Sequence, residues 1–565
     1  MKGKLLITCL LAIFLLGSCN ENKLLEELPL DFYSPENSYV TQANFESALT
    51  DLYARVRNIH YGSNDYMNFA HFLATDIGKS ARGTPDRFGD YDVFVVPTHA
   101  MIRFHWVEWF KVISNANTIL SRMEGSELTA EQQLLMEAEA RFFRALAYRY
   151  LVYLYGGVPI ILEEVASPRT DFARASKEEV LLQIVDDLTF SSQNLPAINS
   201  VIDGRVSNLV AYHFLSETYV SLNRFDEAIA AASKIIDDPN TALMTERFGT
   251  KANLDPQDDY LQLGPGDPFW DLFQRGNQNR STGNREGLWV IQMEVDVIGG
   301  GLQSGGGNFN ALERFVAPVA FLTYLDPDGK EGSIGLPQSN FNTGGRGASF
   351  LMNTDYFLND IWMSDWDNDI RNAPHNIVRD FVYTNPSSRW KDSSSVKYPS
   401  PTKIAQDWRW YPYPSKVTTP GDHPDNLFIS KEDLTLNSTA ASTYRDMYLL
   451  RLPETYLLRA EAFWRKGDLA SAAADINVVR SRAKATPVTP EEVNLDYILD
   501  ERARELIFEE QRRITLHRTQ TLVERVRKYN DMNRDEIKDH HGLWPIPYAE
   551  IEANVDVVIE QNPGY

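Results

Sequence analysis

Cysteine is almost absent from this chain: two occur in 565 residues, Cys9 and Cys19. Long apolar runs are equally scarce. Only Leu5–Leu16 forms one, and the later stretches around Leu151 and Leu449 are broken by Tyr, Arg and Glu. A run of a dozen residues is too short for a bilayer core, which takes roughly 20, so the sequence offers no membrane span. Basic charge is also in short supply, with 55 Lys and Arg against 78 Asp and Glu, a net charge of −23. A body this acidic is repelled by nucleic-acid phosphates and by anionic headgroups, which excludes nucleic acid as a partner.

The two cysteines and the one apolar run fall together at the N-terminus. Lys2 and Lys4 precede the run, and Leu16-Gly17-Ser18-Cys19 follows it. A short basic stretch, a short apolar stretch and then small residues is the pattern of a secretory signal. An apolar residue, two small ones and a cysteine form a lipobox, in which that cysteine is acylated and becomes the new N-terminus. The expectation is a signal peptide over 1–18, a lipidated N-terminus and tether over 19–40, and lipid on Cys19. Removal of 1–18 takes Cys9 away, so no intrachain disulfide can form, and takes the net charge from −23 to −25. Several acyl chains, each contributing about 0.8 kcal/mol per buried methylene, would hold such a body at a membrane that its charge does not favour.

Composition divides the remainder. Between residues 240 and 440 lie 19 of the 32 glycines, 14 of the 28 prolines and 7 of the 11 tryptophans. Outside that region helical periodicity dominates. Phe45, Ala48, Leu49, Leu52, Tyr53 and Val56 share one helix face, and Leu135, Ala138, Phe142, Leu146, Tyr150 and Tyr153 share another before Gly156-Gly157. Two segments beginning at Ala211 and Thr455 repeat a pattern: Ser216 aligns with Ala460, Tyr219 with Phe463, Phe225 with Leu469, Ala228 with Ala472 and Ala232 with Ile476. Small residues at these positions let antiparallel helices approach closely, as in a tetratricopeptide pair. The expected fold is mainly α: a tetratricopeptide-like helical-pair scaffold over 41–240 and 446–565, with a large loop-rich insertion over 241–445 containing few short strands, all in one compact domain. Irregular loops on a rigid frame are where ligands usually bind.

Several catalytic patterns fail on spacing. Gly78-Lys79-Ser80 lacks the earlier glycine of a phosphate-binding loop, because residue 73 is Leu. Asp365, Asp367 and Asp369 alternate like a calcium loop, but residue 370 is Ile where Gly is needed. His540-His541 have no third ligand at a diagnostic spacing. The sequence therefore calls for no catalytic residue, no metal and no cofactor. What it does offer is aromatic side chains in polar loops, over 86–106, 308–324 and 362–371. An aromatic ring covers the C–H face of a sugar, and neighbouring polar groups bond its hydroxyls. Most of these rings also have the spacing of core residues; Trp106, Trp109, Phe110 and Ile113 read as one buried helix face.

Five blocks carry a family resemblance: LEELPLDFYSPENSY after the lipobox, EARFFRALAYRYLVYLYGGVPII, GRVSNLVAYHFLSETYVSLNRFDEAI, YLLRLPETYLLRAEAFWRKGDLASAAADINVVRSRA and ILDERARELIFEEQRR. In this order, and with the ending LWPIPYAEIEANVDVVIEQNPGY, the chain resembles the SusD/RagB family of outer-membrane lipoproteins. The resemblance implies a lipid-anchored protein on the outer face of the outer membrane. Such a protein binds a complex glycan, or a peptide in some relatives, without chemistry and delivers it to a SusC-like TonB-dependent transporter. A surface glycoside hydrolase is the alternative from another class. The loop residues expected to line the site are Tyr91, Phe94 and His99 from the first stretch and Phe309, Phe315 and Tyr324 from the second, with the rings stacking and His99 hydrogen-bonding.

Overall fold

The structure, a computed structural model, describes residues 38–62, 65–83, 87–254, 265–304, 310–319, 324–333, 347–418, 422–431, 435–437, 439–440 and 442–565, with the backbone of 339–340. Cys19 lies outside them, as does Phe309.

The N-terminal block is a run of antiparallel helices: α1 (Gln42–Tyr61), α2 (Ala100–Arg122), α3 (Ala130–Tyr155), α4 (Lys177–Asn194), α5 (Asn208–Ser221) and α6 (Phe225–Ile236). The C-terminal block adds α7 (Leu452–Lys466), α8 (Leu469–Arg482), α9 (Leu495–Leu506), α10 (Arg512–Arg518) and α11 (Leu522–Tyr529). Local chemistry sets the ends. Thr129 with Gln132, and Ser176 with Glu179, form capping boxes that satisfy the first amides of α3 and α4. Gly156, at φ 75°, ends α3 where a side chain would be strained.

Helices neighbouring in sequence pack side by side from α2 through α8, and α6 lies against α7. The two tetratricopeptide-like pairs, α5–α6 and α7–α8, therefore stack directly on each other. Small residues let the helices within each pair approach: Ser216 and Ala228 in the first, and Ala460 and Ala472 in the second, are all fully buried. The Ser216 hydroxyl donates to the Ala228 carbonyl at 2.8 Å, across from α5 to α6. The α1 face is buried as its spacing predicts through Phe45, Leu49, Leu52 and Val56. On α3 the exception is Leu135, which is 37% exposed, like Ala130, Glu131 and Leu134 in the first turns of that helix.

Between the blocks, short strands and turns replace helices. Strand β1 (Gly78–Ser80) pairs antiparallel with β3 (Leu351–Asn353), and β2 (Gly287–Ile291) with β4 (Met447–Arg451), which runs straight into α7. A buried ion-pair network fastens this region to the C-terminal helices. Arg451 bonds Glu286, Glu505 and Glu509, while Arg371 reaches Asp369, Glu501 and Glu505. The acidic alternation at 365–369 belongs to the same network: Asp365 pairs with Arg480 and Asp369 with Arg371. Lys79 of the rejected phosphate-loop pattern pairs with Asp531 from its place in β1.

Candidate ligand-binding site

The two-stranded β1–β3 ribbon places one aromatic surface. Asp76, just before β1, accepts from Arg512 and Arg525 of α10 and α11, so the ribbon is pinned to the helical scaffold. Burial alone would raise the Asp76 carboxyl, yet these two guanidiniums hold it down at about 2. Just past β1, the Ala81 amide donates to the Phe350 carbonyl at 3.0 Å. Arg82 then leans over Ser349 and Phe350. Its Nη2 donates to the Ala348 carbonyl at 2.7 Å, its Nε to the Ser349 carbonyl at 3.3 Å, and its guanidinium carbon lies 4.2 Å from the centre of the Phe350 ring.

Phe350 is the outer member of a column of rings. It stacks on Phe315 at 4.9 Å and 27°, and Phe315 stacks on Phe69 at 4.2 Å and 18°. Phe69 and Phe315 are buried and Phe350 is half-buried, so the column runs from core to surface. The backbone fixes its spacing, because the Phe350 amide donates to the Phe315 carbonyl at 3.0 Å. Trp408 flanks the column from the turn Asp407–Arg409, with Arg82 5.9 Å from its ring on one side and Arg409 at 4.6 Å. Tyr411, three residues on, ties this turn to the ribbon: its hydroxyl lies 2.9 Å from the Val316 carbonyl and 3.1 Å from that of Leu351. At the other edge Arg87 sits 6.0 Å from Phe350 and 5.8 Å from the Tyr66 ring. The result is a surface of half-buried rings (Tyr66, Phe350, Trp408) interleaved with guanidiniums.

The loop residues expected from sequence fall unevenly around this surface. His99 is half-buried at its rim, 6.3 Å from Tyr66, and caps α2 by accepting the Met101 amide on Nδ1 at 3.2 Å. Phe315 is the ring beneath Phe350. Tyr91, Phe94 and Tyr324 are fully buried. The Tyr91 hydroxyl donates to the Ala74 carbonyl, Phe94 packs on Phe88 at 4.5 Å, and Tyr324 stacks on the buried Trp410 at 5.0 Å. With both faces of these rings covered by protein, they serve as support, and contact with solvent passes to Tyr66, Phe350 and Trp408. The Trp-Arg-Trp alternation at 408–410 is the available sequence signal for the outer rings.

Elsewhere, Asp92 joins His540 and His541, with one ligand atom from each lying within 4.8 Å of the others, although no spacing in the sequence connects them. Lys538 already engages this group: its Nζ bonds Asp92, and its amide donates to His541 Nδ1 at 3.0 Å. A separate apolar cavity of about 380 Å³ is lined by Trp106, Phe110, Phe172 and Ile559 and shares no residue with the aromatic surface. Among the described residues no helix is long and apolar enough to cross a membrane.

Two family models match the chain. One, described as the SusD family, covers residues 339–565, and the other, described as starch-binding and associating with the outer membrane, covers 30–220. SusD-like protein P25 of Formosa agariphila is 25% identical over the full length of both chains. The starch-binding protein SusD of Bacteroides thetaiotaomicron is 36% identical over 126 residues, 21% of this chain and 22% of its own. Among solved structures, a laminarin-binding SusD-like protein superposes with a TM-score of 0.64 at 22% identity, covering 93% of this chain and all of its own. One match takes in the N-terminal helices as far as α5, and the other takes in the second half of the loop-rich segment together with the C-terminal helices. This chain is a member of the SusD/RagB family.

Proposed function

We propose that this protein is a lipid-anchored receptor on the outer face of the outer membrane. It captures a complex glycan on the Tyr66–Phe350–Trp408 surface, without altering it, and passes it to a SusC-like TonB-dependent transporter. The observation that carries this reading is the ring column Phe69–Phe315–Phe350. It holds an exposed aromatic face rigidly against the core while Arg82 presents donors beside it. A sugar ring offers C–H groups to such a face and hydroxyls to such donors. The names of the relatives, which bind starch and laminarin, support the same ligand class. Among the described residues, the charged groups packed on these ring faces are guanidiniums. They bind oxygen atoms but cannot supply the acid and base carboxylates of glycoside hydrolysis. The helical side, with its apolar cavity and the exposed Val555 and Val558, is the face assigned to the transporter.

Affinity electrophoresis across a panel of polysaccharides, paired with a reducing-end assay, tests this. Retardation by at least one polymer without release of reducing ends is expected. Turnover would assign the protein to the hydrolases, and retention of peptides alone would assign it to the peptide-capturing relatives. Anchoring is tested separately, by fatty-acid labelling of the wild type and of Cys19→Ala.

A further inference from the structure

The arginines around the ring column stand out because, among the described residues, they gather on one face without counter-charges. Elsewhere guanidiniums are mostly neutralised: Arg144 by Asp187, Arg149 by Glu217, Arg512 by Asp76, Arg518 by Glu461. With 78 acidic residues for 55 basic ones, partners are plentiful. Yet Arg82, Arg87, Arg314 and Arg409 form no ion pair among the described residues, and they cluster. Arg82 and Arg87 share the Phe350 ring, and Arg82 and Arg409 share Trp408. Arg314 lies one residue before Phe315, and its carbonyl accepts the amide of Ala348, the same residue whose carbonyl accepts from Arg82. The Arg409 Nε is buried without a hydrogen-bond partner. Asp407, two residues away, is turned back onto the Trp408 amide at 2.7 Å. Burial lowers the Arg82 pKa from its usual value, and Arg87, Arg314 and Arg409 push it the same way.

Like charges gathered on one face repel one another, and an anion seated among them relieves that repulsion. Arg is also the side chain whose planar fork pairs two N–H groups with a carboxylate or sulfate. From this cluster we infer that the glycan is anionic, a polymer bearing uronate carboxylates or sulfate esters spaced so that the sugar rings stack on Phe350 and Trp408 while the acidic groups meet the arginines. The inference rests on the glycan-binding reading above and narrows it. The overall negative charge repels such a polymer at a distance, but it does not decide what happens at contact. At physiological salt the screening length is about 8 Å, so a ligand in contact with the patch responds to the guanidiniums beside it and hardly to carboxylates farther off. Arg87 and Arg409 carry the specificity most directly, because their guanidiniums lie against rings rather than on backbone carbonyls, whereas Arg82 also braces the Ala348–Ser349 backbone.

Isothermal titration of the mature protein with polygalacturonate, carrageenan, amylopectin and laminarin tests this, alongside carboxyl-reduced polygalacturonate and desulfated carrageenan. The expected result is binding to one of the two anionic polymers and at least tenfold weaker binding to its neutralised derivative. Which anionic polymer binds separates carboxylate from sulfate. Arg87→Gln and Arg409→Gln, checked for an unchanged melting temperature, should each weaken that binding severalfold, and together more than tenfold. Binding to amylopectin or laminarin equal to or tighter than to the anionic polymers overturns the inference and leaves the glycan reading standing. So does anionic binding that the double substitution leaves unmoved. Failure of every polymer to bind overturns both.

Discussion

The Phe315 ring lies 4.9 Å from that of Phe350, and only the outer of the two meets solvent. Substitution should therefore separate support from contact. Phe315→Ala removes a fully buried ring between two others and should cost about 3–5 kcal/mol of stability, seen as a lower urea midpoint. Phe350→Ala should leave the unfolding free energy within about 1 kcal/mol of wild type and weaken glycan binding roughly 5- to 30-fold, the effect of removing an aromatic anchor worth about 1–2 kcal/mol. Equal loss of binding in both variants at unchanged stability would contradict the assignment.

That pair also marks how far the sequence can be read. The spacing at 45–56 and 138–153 predicts helix faces that the fold buries, and the matched small residues at Ser216/Ala460 and Ala228/Ala472 predict the stacked pairs. These signals are local, set by one helix's own period. The candidate surface is not local. Phe350, Arg82 and Trp408 come from widely separated segments, joined by a three-residue ribbon whose pairing no periodicity announces. Aromatic content marks the stretch 308–324, of whose expected rings Phe315 lies in the column as its inner member and Tyr324 is buried elsewhere, since composition cannot tell which side of a ring is covered. The burial of Tyr91, Phe94 and Tyr324 is hidden from the sequence for the same reason. The charged run ILDERARELIFEEQRR gives no sign in its hydropathy that Glu505, Glu509, Arg512 and Arg513 are all buried.

Glu505 is the hub of that buried network. It faces Arg451 at 2.9 Å and Arg371 at 3.1 Å, and also bonds Arg482. Burial would raise its carboxyl, but the three guanidiniums hold it far below the usual range. Glu505→Gln leaves cations without their shared counter-charge in a solvent-free place, and should cost about 3–5 kcal/mol. Asp226 pairs with Lys466 at the surface, where water and salt screen both charges, so Asp226→Asn should leave stability unmoved. Urea midpoints of the two variants measure the contrast.

Acid should unfold the protein in two stages. Burial lowers His60, His213 and His517 to about 3 and His105 to about 4, helped at His60 by Arg149 and at His517 by Arg513. Below about pH 6.5 the unfolded chain takes up protons that these folded rings refuse. Stability is therefore complete above that pH and falls with acidification, by up to about 1.4 kcal/mol per pH unit for each ring. Glu454, which burial pushes up to about 7, opposes this: it binds its proton more tightly when folded and offsets one of the four between about pH 4.5 and 7. Asp76, Glu461 and Glu501, held at about 2 against ordinary values near 4, add a second loss between those limits. Urea titrations at pH 7.5, 5.5 and 4.5 should show a falling midpoint, and His517→Asn, if folded at pH 7.5, should flatten the first stage. A midpoint independent of pH above 4.5 would refute the neutral-histidine account.

The contact between the two helical pairs offers a test of the scaffold. Leu458 and Ala462 of α7 pack in one cluster with Val220 of α5 and Ala228 of α6, and inside the first pair the Ser216 hydroxyl bonds the Ala228 carbonyl. Ala228→Leu adds volume where none is free and should cost about 1–3 kcal/mol through displaced helices. Ala462→Gly, on the facing helix, should be destabilising alone by about 1 kcal/mol, since glycine weakens a helix interior. Because the two sites touch, the space that Ala462→Gly opens should accommodate part of the leucine, so the double variant loses less than the sum of the singles. Coupling of that kind, about 0.5 kcal/mol or more, is what direct contact produces. Strict additivity in denaturant midpoints would mean that α5–α6 and α7–α8 do not bear on one another, and that the ribbon and ring column stand on something other than one continuous stack of helical pairs.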